Sequence, residues 1–404
     1  MENIKLGIVR EGKKPIDKRA PLTPEHCRKL EDKYPRFQIL IQPSDIRCYT
    51  DKEYLEAGLT LNEDLSSCNI LMGVKEVPAA DLIPGKKYFF FSHTIKKQPH
   101  NKKLLQTVIE KKIQLIDYEC LTHTNGLRSI GFGRYAGIVG TYNALTGYGI
   151  KNNLYKLKPA NQCRDLVELE NQLGRINNLP DIKIVLTGEG RVAGGAKEAL
   201  NMLGMEQVNP QEFLEKQHGN AIFCQLGVND YNKRKDGSMK SEKDFFENPE
   251  AYITAFVPFT KVSDIFLSCH FWDPRAPRLF LPEHINNFFK IEVIADISCD
   301  IGGSVPTTLQ ASTIEDPFYG YNVSTGQKAN PFEKDVITVM AVDNLPCSLP
   351  RESSKGFGDD LIKNVLPCLL ENDPDEVIMR ASITKDGQLM PSYRYLSDYA
   401  AVRA

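Results

Sequence analysis

The chain has 404 residues, 41% hydrophobic and 25% charged, with 50 Lys and Arg against 52 Asp and Glu. That is enough sequence for two domains with their own cores, and a net charge of -2 with a pI near 6.4 supplies neither the basic field that nucleic acid needs nor a polybasic run for a membrane surface. The opening residues lack the layout of a signal peptide, no apolar run approaches the roughly 20 residues of a membrane helix, and the default address is the cytoplasm.

Ten cysteines are scattered without a CxxC pair and no HExxH occurs, so no disulfide framework and no metal site are expected. Residues 4–9 alternate in polarity and read as a first strand. Thr23 is a helix N-cap with Pro24 at the first helical position, which predicts a helix over 22–30. The loop between them carries Arg10, Lys13, Lys14, Lys18 and Arg19, a charged face able to hold a carboxylate. Residues 37–41, 70–74, 88–91 and 113–116 are further apolar strands. A short helix from Asp51 is stopped by Gly58, and another runs through Leu104, Leu105, Val108 and Ile109. Such alternation of strand and helix predicts an α/β fold with a parallel sheet, whose ligands sit outside the carboxyl ends of the strands. Lys75, Glu76, His93 and Glu119 all fall at those ends. Each has an ordinary reading alone, as a surface pair, a turn histidine and a cap acid, but four ionisable groups at successive strand ends point to a site.

From Gly133 the residues become small, as in a helix that packs closely, and a domain boundary is placed near Tyr135. Residues 151–180 are polar with a helical patch at 165–174. The run 182–200 then reads as a buried strand, a glycine turn and a helix starting near Val192. Gly188 permits the turn, Gly190 lets the backbone approach a pyrophosphate, and Ala193 is small enough for helix-to-strand packing. Arg191 and Val192 stand at the helix N-terminus, where the pyrophosphate sits. An ordinary glycine-bearing turn would share these residues; the apolar strand before it and the Ala/Leu-rich helix after it favour a nucleotide. The acid that binds the NAD ribose about 20 residues onward is replaced by Asn209, so NADP(H) is the favoured cofactor and NAD(H) the alternative. Strands follow at 221–224, 264–268, 291–298 and 337–342, with a charged surface excursion at 229–250, Asp296 and Asp300 closing the third of these strands, and a C-terminal helix at 355–370.

The segments Arg19-Ala-Pro-Leu-Thr-Pro24, Gly73-Val-Lys75, Phe90-Phe-Ser-His-Thr-Ile-Lys96, Ile116-Asp-Tyr-Glu119, Gly133-Arg-Tyr-Ala-Gly137, Asp296-Ile-Ser298 and Asp343-Asn-Leu-Pro346 together resemble the lysine-ketoglutarate reductase family, the saccharopine-forming half of aminoadipic semialdehyde synthase. More distantly they resemble fungal saccharopine dehydrogenase and alanine dehydrogenase. The resemblance implies two Rossmann-like domains: a substrate-binding domain of residues 1–134 plus 309–404 and a dinucleotide-binding domain of residues 135–308, with the active site in the cleft between them. It implies reductive condensation of L-lysine with 2-oxoglutarate to saccharopine, with Lys75 and His93 catalytic. Arg19, Glu76, Lys96, Glu119, Arg128 and Asp300 would bind substrate, and Gly188, Gly190, Arg191, Val192 and Asn209 the cofactor. No metal, nucleic acid or membrane partner is implied, and the oligomeric state is left open. The dehydrogenase half of the bifunctional enzyme has no counterpart within these residues, which predicts a free-standing reductase. The alternatives are an alanine-dehydrogenase-like enzyme, which holds one carboxylate rather than three, and a non-catalytic nucleotide-binding protein of the same fold.

Overall fold

The computed structural model describes residues 4–177 and 179–401. They divide into two units, one formed by the residues up to Phe132 together with those from Pro350 on, the other by Gly133–Leu349. In chain order the first unit contributes β1 (Ile4–Ile8), α1 (Pro24–Lys33), β2 (Phe37–Ile41), α2 (Asp51–Glu56), β3 (Thr60–Leu61), β4 (Ile70–Lys75), β5 (Lys87–Phe91), α3 (Lys102–Glu110) and β6 (Gln114–Asp117). The second contributes α4 (Gly133–Lys151), α5 (Leu166–Leu173), β7 (Lys183–Thr187), α6 (Arg191–Met202), β8 (Glu206–Val208), α7 (Pro210–Glu215) and β9 (Ile222–Leu226). It continues through β10 (Asn232–Arg234), β11 (Tyr252–Thr254), β12 (Ile265–Ser268), β13 (Val293–Asp296), β14 (Phe318–Asn322), β15 (Lys328–Ala329) and β16 (Val336–Met340). The chain then returns to the first unit with the helix Pro350–Asn364 and strands β17 (Ser382–Lys385) and β18 (Gln388–Leu389).

Among the described residues each unit holds an eight-stranded sheet. In the first the order is β18-β17-β6-β5-β4-β1-β2-β3, so β1 to β6 run 3-2-1-4-5-6, the doubly wound arrangement in which the strand order reverses between β1 and β4. These strands are apolar on both faces because each face is covered: Leu6, Ile8, Ile39 and Met72 pack into one core, Leu71, Tyr88, Phe90 and Leu115 into the other. α1 begins where its cap lies, with Thr23 Oγ1 accepting from His26 N at 3.2 Å, a device worth about 1 kcal/mol.

The fold is α/β as expected, but the sheets are mixed. β17 and β18 pair antiparallel beyond β6, and β14 and β15 pair antiparallel at the edge of the second sheet. The second unit also extends past the expected return at 309. Val336–Met340 is wholly buried and pairs parallel with β13, so this length of chain completes the second sheet, and the first unit resumes only at Pro350. The expected surface excursion at 229–250 is mostly exposed, and its β10 pairs antiparallel with β11 just beyond it. The C-terminal helix starts earlier than the apolar pattern suggested and breaks at Val365, ahead of Pro367, which has no amide hydrogen to continue it.

The second sheet has the order β15-β14-β16-β13-β12-β7-β9-β8. β8 follows β7 in sequence, but β9 is the strand that pairs with β7, over Lys183↔Ile222 to Thr187↔Leu226, and β8 lies at the sheet edge. This displaces Asn209, immediately after β8, by one strand from the position the sequence order implied.

Candidate active site

In the first unit the strand ends bring the expected ionisable residues together. Lys75 ends β4 and Glu76 follows it; His93 lies two residues beyond β5, and Glu119 two beyond β6. Glu76 is paired on one oxygen with Lys13, and its Oε2 is 3.6 Å from His93 Nδ1. That distance is longer than a hydrogen bond, and Oε2 has no hydrogen-bond partner among the described residues. Burial alone would raise the Glu76 pKa, but His93 and Lys13 more than offset it and hold the carboxyl down at about 2.

Glu119 makes a second clamped carboxylate. Its Oε1 is 3.1 Å from both Lys96 Nζ and Arg128 NH2, while Oε2 is buried without a hydrogen-bond partner among the described residues. Burial opposes ionisation here too; Lys96, Arg128 and His93 win, and the pKa lies below the ordinary carboxylate value. Lys96 and Arg128 keep about half of their side-chain surface in solvent.

Asp117, which the sequence reading passed over, supports both His93 and Glu119. This wholly buried carboxylate ends β6, takes the Ser92 amide at 3.0 Å and the Ser92 hydroxyl on Oδ2, and takes the Glu119 amide at 2.8 Å on Oδ1. His93, the next residue, has φ 54, a left-handed conformation costly for a residue with a Cβ and kept only where the surroundings impose it. The Ser92–Asp117 contacts and the Asn101 side chain on Ser92 O at 3.1 Å impose it here.

Arg19, expected to bind substrate, is buried in the first unit. It is 2% exposed, paired with Asp17 through Nε at 3.0 Å and NH2 at 2.6 Å, and lies over the Phe132 ring at 4.1 Å. Burial would raise the Asp17 pKa, but the guanidinium holds it far below the ordinary value. Phe132 stacks on Phe357 at 4.5 Å, and Phe357 meets Tyr118 and Phe91, tying the returning helix under the strand ends. Glu11 was also missed: its two oxygens accept from Val74 N at 2.6 Å and Lys75 N at 2.9 Å. Burial pushes its pKa up to about 8 against the pull of those amides. No spacing rule marks Glu11, because its partners are main-chain groups.

In the second unit the glycine turn joins β7 to α6 as expected. Gly188 has φ +97, and a Cβ there would meet Cys269 O and His270 Cα at 2.9 Å, so both conformation and space require glycine. Gly190 is the N-cap of α6 with no side-chain cap, and open space surrounds its Cβ position. The first amides of a twelve-residue helix therefore face room for an anion, and the turn fits a dinucleotide. Arg191 is exposed and Val192 half-buried at that terminus. α6 is held against α4 by main-chain contact: a Cβ on Gly137 would fall 1.9 Å from Val192 O, and one on Gly195 1.9 Å from Arg134 O.

Asn209 caps α7, its Oδ1 accepting from Glu212 N at 2.9 Å, and Glu212 is paired with Lys216 at 2.9 Å. At the end of β9, beside the glycine turn, stands Gln225, which donates to Gly188 O and accepts from Lys197, both at 2.9 Å. His270, also unforeseen, lies buried beneath the turn between Thr187 Oγ1 at 2.8 Å and Ser304 Oγ at 3.0 Å, its pKa pressed down to about 4 by burial. Asp300 lies in this unit, half-buried in the turn after β13, where its carbonyl accepts from Gly303 N. Among the described residues no three His, Cys, Asp or Glu gather as metal ligands, and no helix is long and apolar enough to cross a membrane.

Residues 7–139 match the family model "Alanine dehydrogenase/PNT, N-terminal domain" and residues 261–391 match "Alanine dehydrogenase/PNT, C-terminal domain", together more than half of the chain. The chain is 31% identical to the mitochondrial alpha-aminoadipic semialdehyde synthase of Bos taurus over 97% of its own length and 47% of that protein. It thus spans about half the length of that relative. It is 25% identical to the saccharopine dehydrogenase [NAD(+), L-lysine-forming] of Yarrowia lipolytica, covering 93% of this chain and 95% of that one. A solved L-alanine dehydrogenase shares the fold with a TM-score of 0.64 at 14% identity, over 98% of this chain and all of the other.

Proposed function

The chain belongs to the alanine dehydrogenase/PNT family, and from that premise we propose that it is a nicotinamide-dependent oxidoreductase of lysine metabolism. Its reaction is the condensation of L-lysine with 2-oxoglutarate and reduction to saccharopine, or the reverse. The observation that carries this reading is the gathering of a lysine, a histidine and two cation-clamped carboxylates at the ends of β4, β5 and β6. The lysine substrate must lose a proton from its ε-amine before it attacks the keto carbon, and the hydroxyl of the carbinolamine must gain one to leave as water. Lys75 is the base in this reading and His93, beside Glu76, the acid. Saccharopine carries three carboxylates, and Lys96 and Arg128 offer charge-assisted hydrogen bonds to them; Arg19, buried on Asp17, supports the loop that presents this face. The nicotinamide, when bound, supplies or accepts the hydride, and Gly188, Gly190 and the α6 terminus are the residues that would hold its pyrophosphate.

NADP(H) is the proposed form of the cofactor. The strand beside β7 closes in Gln225 and Leu226, with Lys197 bonded to Gln225, rather than in a carboxylate that would repel a 2′-phosphate. Glu189, in the turn itself, has its pKa raised by burial and by Glu242 and Asp230. The test is oxidation of NADPH and of NADH with lysine and 2-oxoglutarate, omitting each in turn, beside pyruvate with ammonium. Turnover that needs both lysine and 2-oxoglutarate is the expected result. Turnover with pyruvate and ammonium alone would replace this reading with an alanine-dehydrogenase-like one.

A further inference from the structure

The end of β4 lacks a strand on one side. β1 pairs with it only over Leu6↔Ile70 to Ile8↔Met72, and a last main-chain bond joins Val9 N to Met72 O at 2.9 Å. Beyond Met72 the amides of Val74 and Lys75 have no β1 residue to bond. On a regular strand successive amides point to opposite edges, so one acceptor reaches both only where the backbone leaves that geometry. It does so here: the β4–β5 register shifts between Met72 and Lys75, placing one extra residue on β4, and such bulges re-aim the side chains that follow them. The acceptor is Glu11, one oxygen on each amide. Gly73 makes room for it, since a Cβ there would come within 2.9 Å of Val9 Cγ2 and 3.3 Å of Glu11 Oε1.

We propose that Glu11 is the positioning residue for Lys75: its carboxyl group takes the place of the strand that β1 no longer supplies and fixes the bulge from which the Lys75 side chain departs. The inference deepens the reading of Lys75 as the base and rests on it. The position is the one where the strand order reverses, the crevice in which ligands of doubly wound sheets lie. A short carboxyl-bearing side chain there sets main-chain geometry without occupying the crevice with a strand.

The experiment uses the full chain with Glu11→Ala, which removes both acceptors, and Glu11→Gln, which keeps one. Hydrogen exchange of the peptide spanning 72–76 is read together with the pH profile of turnover with lysine and 2-oxoglutarate. In Glu11→Ala the exchange at Val74 and Lys75 is expected to rise at least tenfold. The value of kcat is expected to fall by about 10²-fold, with the KM for cofactor held within twofold and the limb of the profile that reports Lys75 displaced, as for a reacting group moved by about 1 Å. Glu11→Gln should recover part of both. Unchanged exchange at 72–76, or a Glu11→Ala enzyme with wild-type kcat and profile, overturns the proposal. If Glu11→Ala does not fold, Glu11→Gln alone decides by the same two readings. If the wild-type protein does not turn over lysine and 2-oxoglutarate, the reaction assigned above fails, while the exchange measurement still decides whether Glu11 holds β4.

Discussion

Oε2 of Glu76 lies 3.6 Å from Nδ1 of His93 while Lys13 occupies its other oxygen, so one half-buried carboxylate stands between the histidine and the lysine. Its pKa is held at about 2 against an ordinary 4.5, and for an acid with a depressed folded pKa the stabilisation is full above 4.5 and lost as the pH falls through 2. The shift corresponds to at most about 3 kcal/mol. Glu76→Gln should therefore be less stable than wild type at pH 7, lose most of that difference by pH 2.5 and converge on wild type only below pH 2. Urea melts at pH 7 and pH 2.5 check this, and a gap that stays constant with pH would remove the ion pair from the account.

Lys75→Met is expected to lower turnover by two or more orders of magnitude, since acid-base groups contribute about 10²–10⁴-fold, with cofactor affinity little changed. His93→Gln should lose a similar factor and alter the acidic limb of the pH profile. Steady-state kinetics from pH 5 to 10 decide both, and near-normal turnover in either variant would return that residue to a structural role.

The two arginines should separate stability from binding. Arg19→Ala leaves Asp17 as a buried charge without its guanidinium, a change that typically costs about 3–5 kcal/mol, and the variant should melt well below wild type. Arg128→Ala removes a side chain that is 56% exposed; it should melt normally and raise the KM for 2-oxoglutarate about tenfold. Calorimetry and kinetics on the pair give the answer, and an Arg19→Ala protein of normal stability with a raised KM would make Arg19 a substrate ligand.

Cofactor choice should follow the sheet order rather than the chain order. Gln225→Glu puts a carboxylate at the end of the strand beside β7 and is expected to move the ratio of kcat/KM values toward NADH by about tenfold, about 1.4 kcal/mol. Asn209→Asp, at the end of the edge strand and already committed to capping α7, should move it by less than twofold. The reverse ranking would restore Asn209 as the ribose position, and a wild-type enzyme that prefers NADH would overturn the proposed NADP(H) preference.

The strands and the glycine turn were legible because their signals are local: buried runs such as residues 37–41, the Thr23–Pro24 start and the Gly188–Gly190 spacing. Lys75, Glu76, His93 and Glu119 were legible as a set because strand ends in a parallel sheet share one edge. What escaped was relational. That β9 and not β8 lies beside β7 is decided by pairing across the sheet, and β14, with Gly320 in its middle and Asn322 at one end, carries too weak a pattern to announce the antiparallel edge. Asp117, Glu11 and His270 escaped because each acts on main-chain atoms or hydroxyls distant in sequence. The pairing of Arg19 with Asp17 escaped because two charges two residues apart in a charged loop carry no signal of burial.

The crossing of α4 and α6 has a genetic corollary. At codons 137 and 195 every missense change adds a carbon where the other helix already has a carbonyl oxygen 1.9 Å away. The obstructing atoms are main chain, so no second-site change of side chain elsewhere in either helix removes them. Two positions that touch no reacting group are thus expected to tolerate as little variation as the catalytic residues, and in a population or a saturation library they would stand out as invariant for reasons of space alone.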